Sequence, residues 1–313
     1  TDAYPEATPT ATVFLSTMTT KVAVYTLARG FPGTELLIYI GVVMTCFPIF
    51  YAVIENDLRR VLGYSMINQI GFMVCGVGIG TALALNGAVS HAFNDVIFKG
   101  LLFMSMGAVL YRTGKINGSD LGGLYKTMPK TALLCIVGAS SISAFPLFSG
   151  FVSKAMIMSA VLKEGHDWAW LLLLFASAGV FHHAGIKIPY FAFFAQDRGI
   201  AASEPPANML LAMSLAALLC ILAAAAAAVT GAGRGIGRGL ARSLAAADAS
   251  VAVAGRALDA LGELSAELEA EGGSAWPVHL DVTDVADIDA GFDQVRERFG
   301  SVYILVNNAG LDA

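Results

Sequence analysis

Residues 91–103 read His91-Ala-Phe-Asn-Asp95-Val-Ile-Phe-Lys99-Gly-Leu-Leu-Phe103. Here a base, an acid and a second base fall at i, i+4 and i+8, which stacks them along one face of a single helix. The apolar run around them, 86–110, exceeds the ~20 residues that cross a ~30 Å hydrocarbon core. Ionisable groups at that depth cost roughly 2.5–3.5 kcal/mol each on insertion scales and mark ion or proton pathways. A static polar clamp between helices would use the same three residues. Either reading makes this a helix of a polytopic membrane protein.

Working outward, apolar runs of similar kind recur near 10–29, 34–54, 61–82, 131–148, 150–163, 168–196 and 208–228, about eight in all. The chain is 56% hydrophobic and 14% charged, against roughly 25% charged in a soluble domain. The deficit is confined to one region. Residues 1–220 hold 13 Lys/Arg and 11 Asp/Glu, whereas 221–313 hold 6 and 13. The net charge of −5 therefore averages two regimes and points to no nucleic-acid partner. Cys46, Cys75, Cys135 and Cys220 lack metal-ligand spacing and read as small buried hydrophobes.

Loops at 55–60 and 111–130 carry Arg59, Arg60, Arg112, Lys115, Lys126 and Lys130, and by the positive-inside rule they face the cytoplasm. Residues 131–163 contain Pro146 and Gly150 and admit one broken crossing or two. Two crossings would leave the C-terminal part in the cytoplasm, beside a nucleotide pool. The presence of a nucleotide motif there favours two.

Further charges fall inside the runs. Lys21 lies midway through the first, Lys154 follows the Pro146 to Gly150 break, and Lys187 sits in the seventh beside His182 and His183. Snorkelling to an interface would explain a lone lysine near a helix end. It does not explain an acid and a base stacked mid-helix. Interrupted helices at membrane depth are where transporters build ion sites. Asp57-Leu58-Arg59-Arg60 reads as a solvated loop.

Five stretches in order carry a resemblance: Tyr4-Pro-Glu-Ala7, Thr20-Lys-Val-Ala-Val-Tyr25, Asp57-Leu-Arg-Arg-Val-Leu-Gly-Tyr-Ser65, 91–103, and Phe145-Pro-Leu-Phe-Ser-Gly-Phe-Val-Ser-Lys154. Residues 1 to about 221 resemble the antiporter-like membrane subunits of Mrp-type Na⁺/H⁺ antiporters, the D-type above all, and of respiratory complex I. The resemblance implies a proton-conducting subunit of a bacterial inner (plasma) membrane, working with other antiporter subunits on H⁺ and a monovalent cation such as Na⁺. It implies a relay through Lys21, His91, Lys99 and Lys154, to which Asp95 and Lys187 are added as candidates. Asp95 stands where the family usually has a second His, and Arg59 where it has Lys. The family's first half, with the glutamate that partners the lysine matching Lys21, has no counterpart in 1–222, which reads as the C-terminal half of an incomplete antiporter-like fold.

Beyond 222 the pattern changes to short β-like runs, 250–254, 275–280 and 302–306, alternating with helical stretches, 235–247, 257–271 and 285–299. That alternation predicts a parallel sheet covered by helices, a partial α/β Rossmann fold over 223–313. Thr230-Gly-Ala-Gly-Arg-Gly-Ile-Gly237 places glycines where a strand turns into a helix N-terminus, the arrangement that accepts a pyrophosphate. The alanines 223–228 favour helix yet occupy the first-strand position.

With Val251-Ala-Val-Ala-Gly-Arg256, Leu280-Asp-Val-Thr-Asp284 and Val306-Asn-Asn-Ala-Gly310, residues 226–313 resemble the N-terminal half of a short-chain dehydrogenase/reductase. The resemblance implies Gly231, Gly235, Ile236 and Gly237 at the pyrophosphate, Asp281 and Val282 at adenine, and Asn307, Ala309 and Gly310 flanking the cofactor. Gly255 replaces the acid that would grip a ribose 2′-hydroxyl, while Arg234 and Arg256 suit a 2′-phosphate, so the expected cofactor is NADP. The family's catalytic Ser and its Tyr and Lys four residues apart do not occur in 226–313, so no catalytic residue is assigned and the chain reads as a fragment at both ends. Three readings stay open: a truncated transporter subunit fused to a partial dehydrogenase, a membrane-tethered NADP-dependent reductase, and a non-functional chimera.

Overall fold

The computed structural model describes residues 3–146, 148–222, 226–245, 249–299 and 304–306. It divides into two compact units, Thr1–Cys220 and Ile221–Ala313.

The first unit is helical. Short helices α1 (Ala3–Glu6) and α2 (Pro9–Phe14) lead through a π-helical turn, Leu15–Thr19, into α3 (Thr20–Gly30). Helices α4 (Leu36–Ile54), α5 (Leu58–Ile79) and α6 (Ala82–Thr113) follow. Asp57 caps the N-terminus of α5 by accepting from the backbone of Arg59 at 2.8 Å and Arg60 at 3.1 Å. Gly80 ends that helix in the left-handed conformation at φ 74°. Close approach joins α4 to α5: a Cβ on Gly71 would lie 2.6 Å from the Gly41 carbonyl oxygen. Small residues at such crossings are how helices pack where no hydrophobic effect drives them together.

Next come α7 (Pro129–Ile142) and α8 (Ser149–Lys163). Helix α9 (Asp167–Val180) continues through a π-helical turn, Phe181–Ile186, into α10 (Lys187–Pro189) and a second π-helical turn, Tyr190–Phe194. Helix α11 (Ala207–Leu222) closes the unit. Its outward faces carry large apolar side chains, among them Phe47, Phe50, Leu171, Phe175, Leu211 and Leu215, while its interior holds charges. That inversion suits a surrounding lipid.

Among the described residues, four helices qualify as membrane spans by length and composition: Leu36–Ile54, Leu58–Ile79, Ala82–Thr113 and Asp167–Phe194. This corrects the expectation of about eight. The first run is helical throughout 9–30, but its threonines and Lys21 dilute its hydropathy. The last run is cut, because the helix ends at Leu222 and a strand begins at Ala226. Helices α7 and α8 are about 21 and 22 Å long at 1.5 Å per residue, each short of a ~30 Å core. Helix α6 packs along both, and they meet where one ends and the other begins, with Ser141 Oγ 3.1 Å from Ser149 Oγ. They form one interrupted crossing, not two, which removes the sequence argument for a cytoplasmic C-terminal part.

The loops at 55–60 and 111–130 are bonded to each other, with Gly118 N donating to Asn56 O at 2.9 Å and Leu58 N to Ile116 O at 3.3 Å. The 195–206 loop joins them through Lys126–Asp197 at 2.8 Å and Thr131 Oγ1 to Glu204 at 2.6 Å. The Asp57 to Arg60 stretch is not the solvated loop expected. Arg59 is buried and donates to Pro5 O at 2.7 Å, Ala7 O at 2.8 Å and the Thr12 hydroxyl, fastening α1 and α2 to α5.

In the second unit, β1 (Ala226–Thr230), α12 (Gly235–Ala245), β2 (Ser250–Gly255), α13 (Leu258–Ala270), β3 (Ser274–His279), α14 (Val285–Phe299) and β4 (Ile304–Val306) alternate. The strands form a parallel sheet in the order β3-β2-β1-β4. Despite its alanines, β1 pairs in register with β2 from Ala226↔Ser250 to Thr230↔Ala254. Tertiary pairing overrides the local helix preference there.

Candidate proton path and nucleotide turn

The 32-residue α6 carries His91, Asp95 and Lys99, none with any exposed surface. Helix α3 brings Lys21 to Asp95, and the two form an ion pair. The π-helical turn before α3 shifts the backbone so that Lys21 Nζ also donates to Ser16 O at 3.0 Å, five residues back. The second oxygen of Asp95, Oδ1, has no hydrogen-bond partner among the described residues.

His91 bridges two helices. Its Nε2 faces Gln69 Oε1 on α5 at 2.9 Å, and its Nδ1 faces Ser153 Oγ on α8 at 2.9 Å. With the Gln69 amide donating to Asn68 Oδ1 at 2.9 Å, the ring in its neutral form donates from Nε2 and accepts at Nδ1. Asn68 in turn donates to Thr45 O on α4 at 2.5 Å. Asn94 donates to Ser149 O at 2.8 Å, at the start of α8.

Two lysines complete the set. Lys99 Nζ donates to Ser65 Oγ on α5 at 2.9 Å. Lys154, 2% exposed, donates to Ile142 O at 2.8 Å, the last residue of α7, and lies 5.3 Å from the Phe72 ring centre. The interruption after Ile142 frees that carbonyl from the helical ladder, and Lys154 takes it. Ala144, in the break, holds the left-handed conformation at φ 56°. Lys187 is placed apart from this group. Half-buried, it donates to Ala52 O at 2.9 Å, Val53 O at 2.8 Å and Glu55 O at 2.5 Å, capping the C-terminal end of α4.

Sequence reasoning found the charges and missed the neutral groups that join them: Gln69, Asn68, Ser65 and Ser153. The only available signal was polar residues such as Asn68-Gln69 inside the 61–82 run.

In the second unit the turn after β1 holds Gly231 at φ 64° and Gly235 at φ 57°, conformations side chains rarely adopt. Ala232 N donates to Ala254 O at 3.2 Å, tying the turn to the end of β2. The turn opens the N-terminus of the 11-residue α12. Gly237 is buried in its first turn. At the end of β2, Gly255 leaves room beside Leu261, and Arg256 is exposed, as is Arg234. Asp281 accepts from Thr283 N at 2.9 Å and Thr283 Oγ1 at 2.8 Å, which holds its carboxyl below the usual range. Val282 beside it is exposed. Asn307, Ala309 and Gly310 lie outside the described residues. Among the described residues no cluster of metal-ligating side chains occurs.

Residues 1–181 match the family model "NADH:quinone oxidoreductase/Mrp antiporter, TM", more than half of the chain. The chain belongs to this family. Residues 225–313 match the short chain dehydrogenase model. The antiporter family chain is 35% identical over 190 residues to the D-type subunit of a Na(+)/H(+) antiporter from Alkalihalophilus pseudofirmus, a match covering 57% of this chain and 38% of that one. It is 31% identical over 231 residues to the L-type subunit of F(420)H(2) dehydrogenase from Methanosarcina mazei, covering 67% and 34%. The chain thus spans little more than a third of these relatives. Among solved structures, an archaeal membrane-bound sulfane sulfur reductase superposes with a TM-score of 0.66 at 28% identity, covering 71% of this chain and 40% of that one. The Mrp complex of a Dietzia species gives 0.62 at 24% identity, covering 70% and 50%, and shares the fold.

Proposed function

We propose that residues 1–222 are the proton-conducting part of a membrane subunit that works inside a multi-subunit cation/proton antiporter, exchanging H⁺ for a monovalent cation such as Na⁺. The observation that carries this reading is the set Lys21, Asp95, His91, Lys99 and Lys154, the last four buried and Lys21 nearly so, drawn from three helices and joined through side chains of α5 and α8. Burial disfavours the charged form of a lysine, so its proton moves when a neighbouring charge moves. Asp95, paired with Lys21, sits on the same helix as His91 and Lys99. Movement of Lys21 away from Asp95 leaves the carboxylate to attract a proton or the Lys99 ammonium. That exchange of partners couples one end of the set to the other.

The test uses inverted vesicles holding the whole complex with Lys99→Ala or Lys154→Ala in this chain. Cation-driven proton movement, followed with a ΔpH-sensitive dye, should fall by roughly a hundredfold, the scale on which positioned proton-transfer groups act. A wild-type rate from Lys154→Ala overturns the reading.

For 223–313 we propose a dinucleotide-binding module preferring NADP. Positive φ at Gly231 and Gly235 and the open N-terminus of α12 fit a pyrophosphate. Gly255 and the exposed Arg256 fit a 2′-phosphate and not a ribose diol held by a carboxylate. When bound, such a cofactor supplies hydride transfer. Fluorescence titration of the full chain with NADP and NAD tests it, and equal affinity for both removes the preference.

A further inference from the structure

We propose that His183 is a further proton-carrying residue, passing protons between the Lys99 and Lys154 region and an open groove beside Glu55 and Lys187. This inference rests on the relay reading above.

Four observations carry it. His183 has no exposed surface, and neither ring nitrogen has a hydrogen-bond partner among the described residues. The Gly179 carbonyl, four residues back, faces the ring from the same helical segment, and Lys99 and Lys154 lie within coulombic range. A buried polar side chain without partners is costly and asks for a reason. Second, it sits in the π-helical turn Phe181–Ile186, a local departure of the kind found at functional sites. Third, that turn is pressed onto the end of α7: a Cβ on Gly185 would overlap Ser143 Oγ. Ser143 follows Ile142, whose carbonyl holds Lys154. Fourth, the other face of the same turn is open. His182 is exposed and lines a groove with Glu55, Asn56, Lys187 and Tyr190, at the face carrying the 55–60 loop.

A proton would cross as follows. One ring nitrogen accepts it from the Lys154 or Lys99 ammonium, directly or through water. The other nitrogen releases its own proton toward the groove. One proton enters and one leaves, so the ring returns to neutral in its other tautomer.

The test compares His183→Gln, His183→Phe and Lys154→Ala in vesicles holding the whole complex. A merely space-filling role is met by phenylalanine, because neither ring nitrogen has a hydrogen-bond partner among the described residues. Both His183 variants should lose proton transport by roughly tenfold or more while accumulating normally. A wild-type rate from His183→Phe alongside an inactive Lys154→Ala overturns the inference and spares the relay. A wild-type rate from Lys154→Ala removes both. Should the variants fail to accumulate, deuterium exchange at the imidazole C2 hydrogen of the unaltered chain decides. Exchange at His183 within about tenfold of that at exposed His182 supports the path. Protection of about a hundredfold or more refutes it.

Discussion

The two units of this chain solve opposite solvation problems with the same amino acids. In the first, charges go inside and large apolar side chains outside: Asp95, Lys99 and Lys154 are buried, while Phe47, Phe50 and Leu171 are exposed. In the second, alanines, valines and leucines such as Ala252, Val278 and Leu280 fill the core and the ion pairs lie at the surface. Arg238 and Arg242 of α12 meet Glu267 of α13 with a third or so of each side chain still in water. There the pair is screened and its removal changes little. Asp95 has no exposed surface and Lys21 little, so the carboxylate depends on the ammonium beside it. An ion pair therefore has no fixed worth. Its surroundings decide whether it is ornamental or indispensable.

That contrast can be broken in several places. The largest effect is at the inner ion pair: Asp95→Leu leaves Lys21 with the Ser16 carbonyl in place of a countercharge and should destabilise the membrane unit by about 3–5 kcal/mol, read by denaturant titration in micelles. Glu267→Ala should leave unfolding of the second unit unmoved, and equal losses from the two would erase the comparison.

Smaller effects sharpen it. Gly71→Ala forces a Cβ against the Gly41 carbonyl of α4 and should cost about 1–3 kcal/mol by overpacking, in the same titration. Arg256→Ala should weaken NADP about tenfold, the scale of one charge-assisted phosphate contact, and leave NAD unchanged. Smallest is an acid effect at Asp281, whose carboxyl is held low by Thr283. A depressed carboxyl contributes fully above the ordinary carboxylate range near pH 4, and the contribution is lost as pH falls through its lower folded value. Backbone protection over 283–288 should drop on acidification, and Asp281→Asn should abolish the step.

Much of the site was legible because polar residues in apolar runs are conspicuous. Lys21, His91, Asp95, Lys99 and Lys154 stand out against hydrocarbon-length stretches whatever their neighbours. Arg59 was not legible. It lies at a helix start among Asp57 and Arg60, where solvation is the ordinary outcome, and only the return of residues 4–12 against α5 buries it. Lys187 was misplaced for the converse reason. Its position in an apolar run says depth, but the carbonyls at the end of α4 draw its ammonium to an edge.

The sequence by itself determined that this chain has a lipid-facing part and a nucleotide-turn part, and which charges interrupt its apolar runs. Hydropathy, helical spacing and glycine placement are local properties, set within a few turns of chain. The tertiary structure alone decided which charges meet. Lys21 and Asp95 are 74 residues apart in sequence, and their pairing depends on a π-helical turn, a helix crossing and the packing of α6 against α3. The same holds for the alanines of β1, which local preference makes helical and which a strand on either side holds extended. Pairing and register are sums over distant contacts, and no stretch of chain contains them.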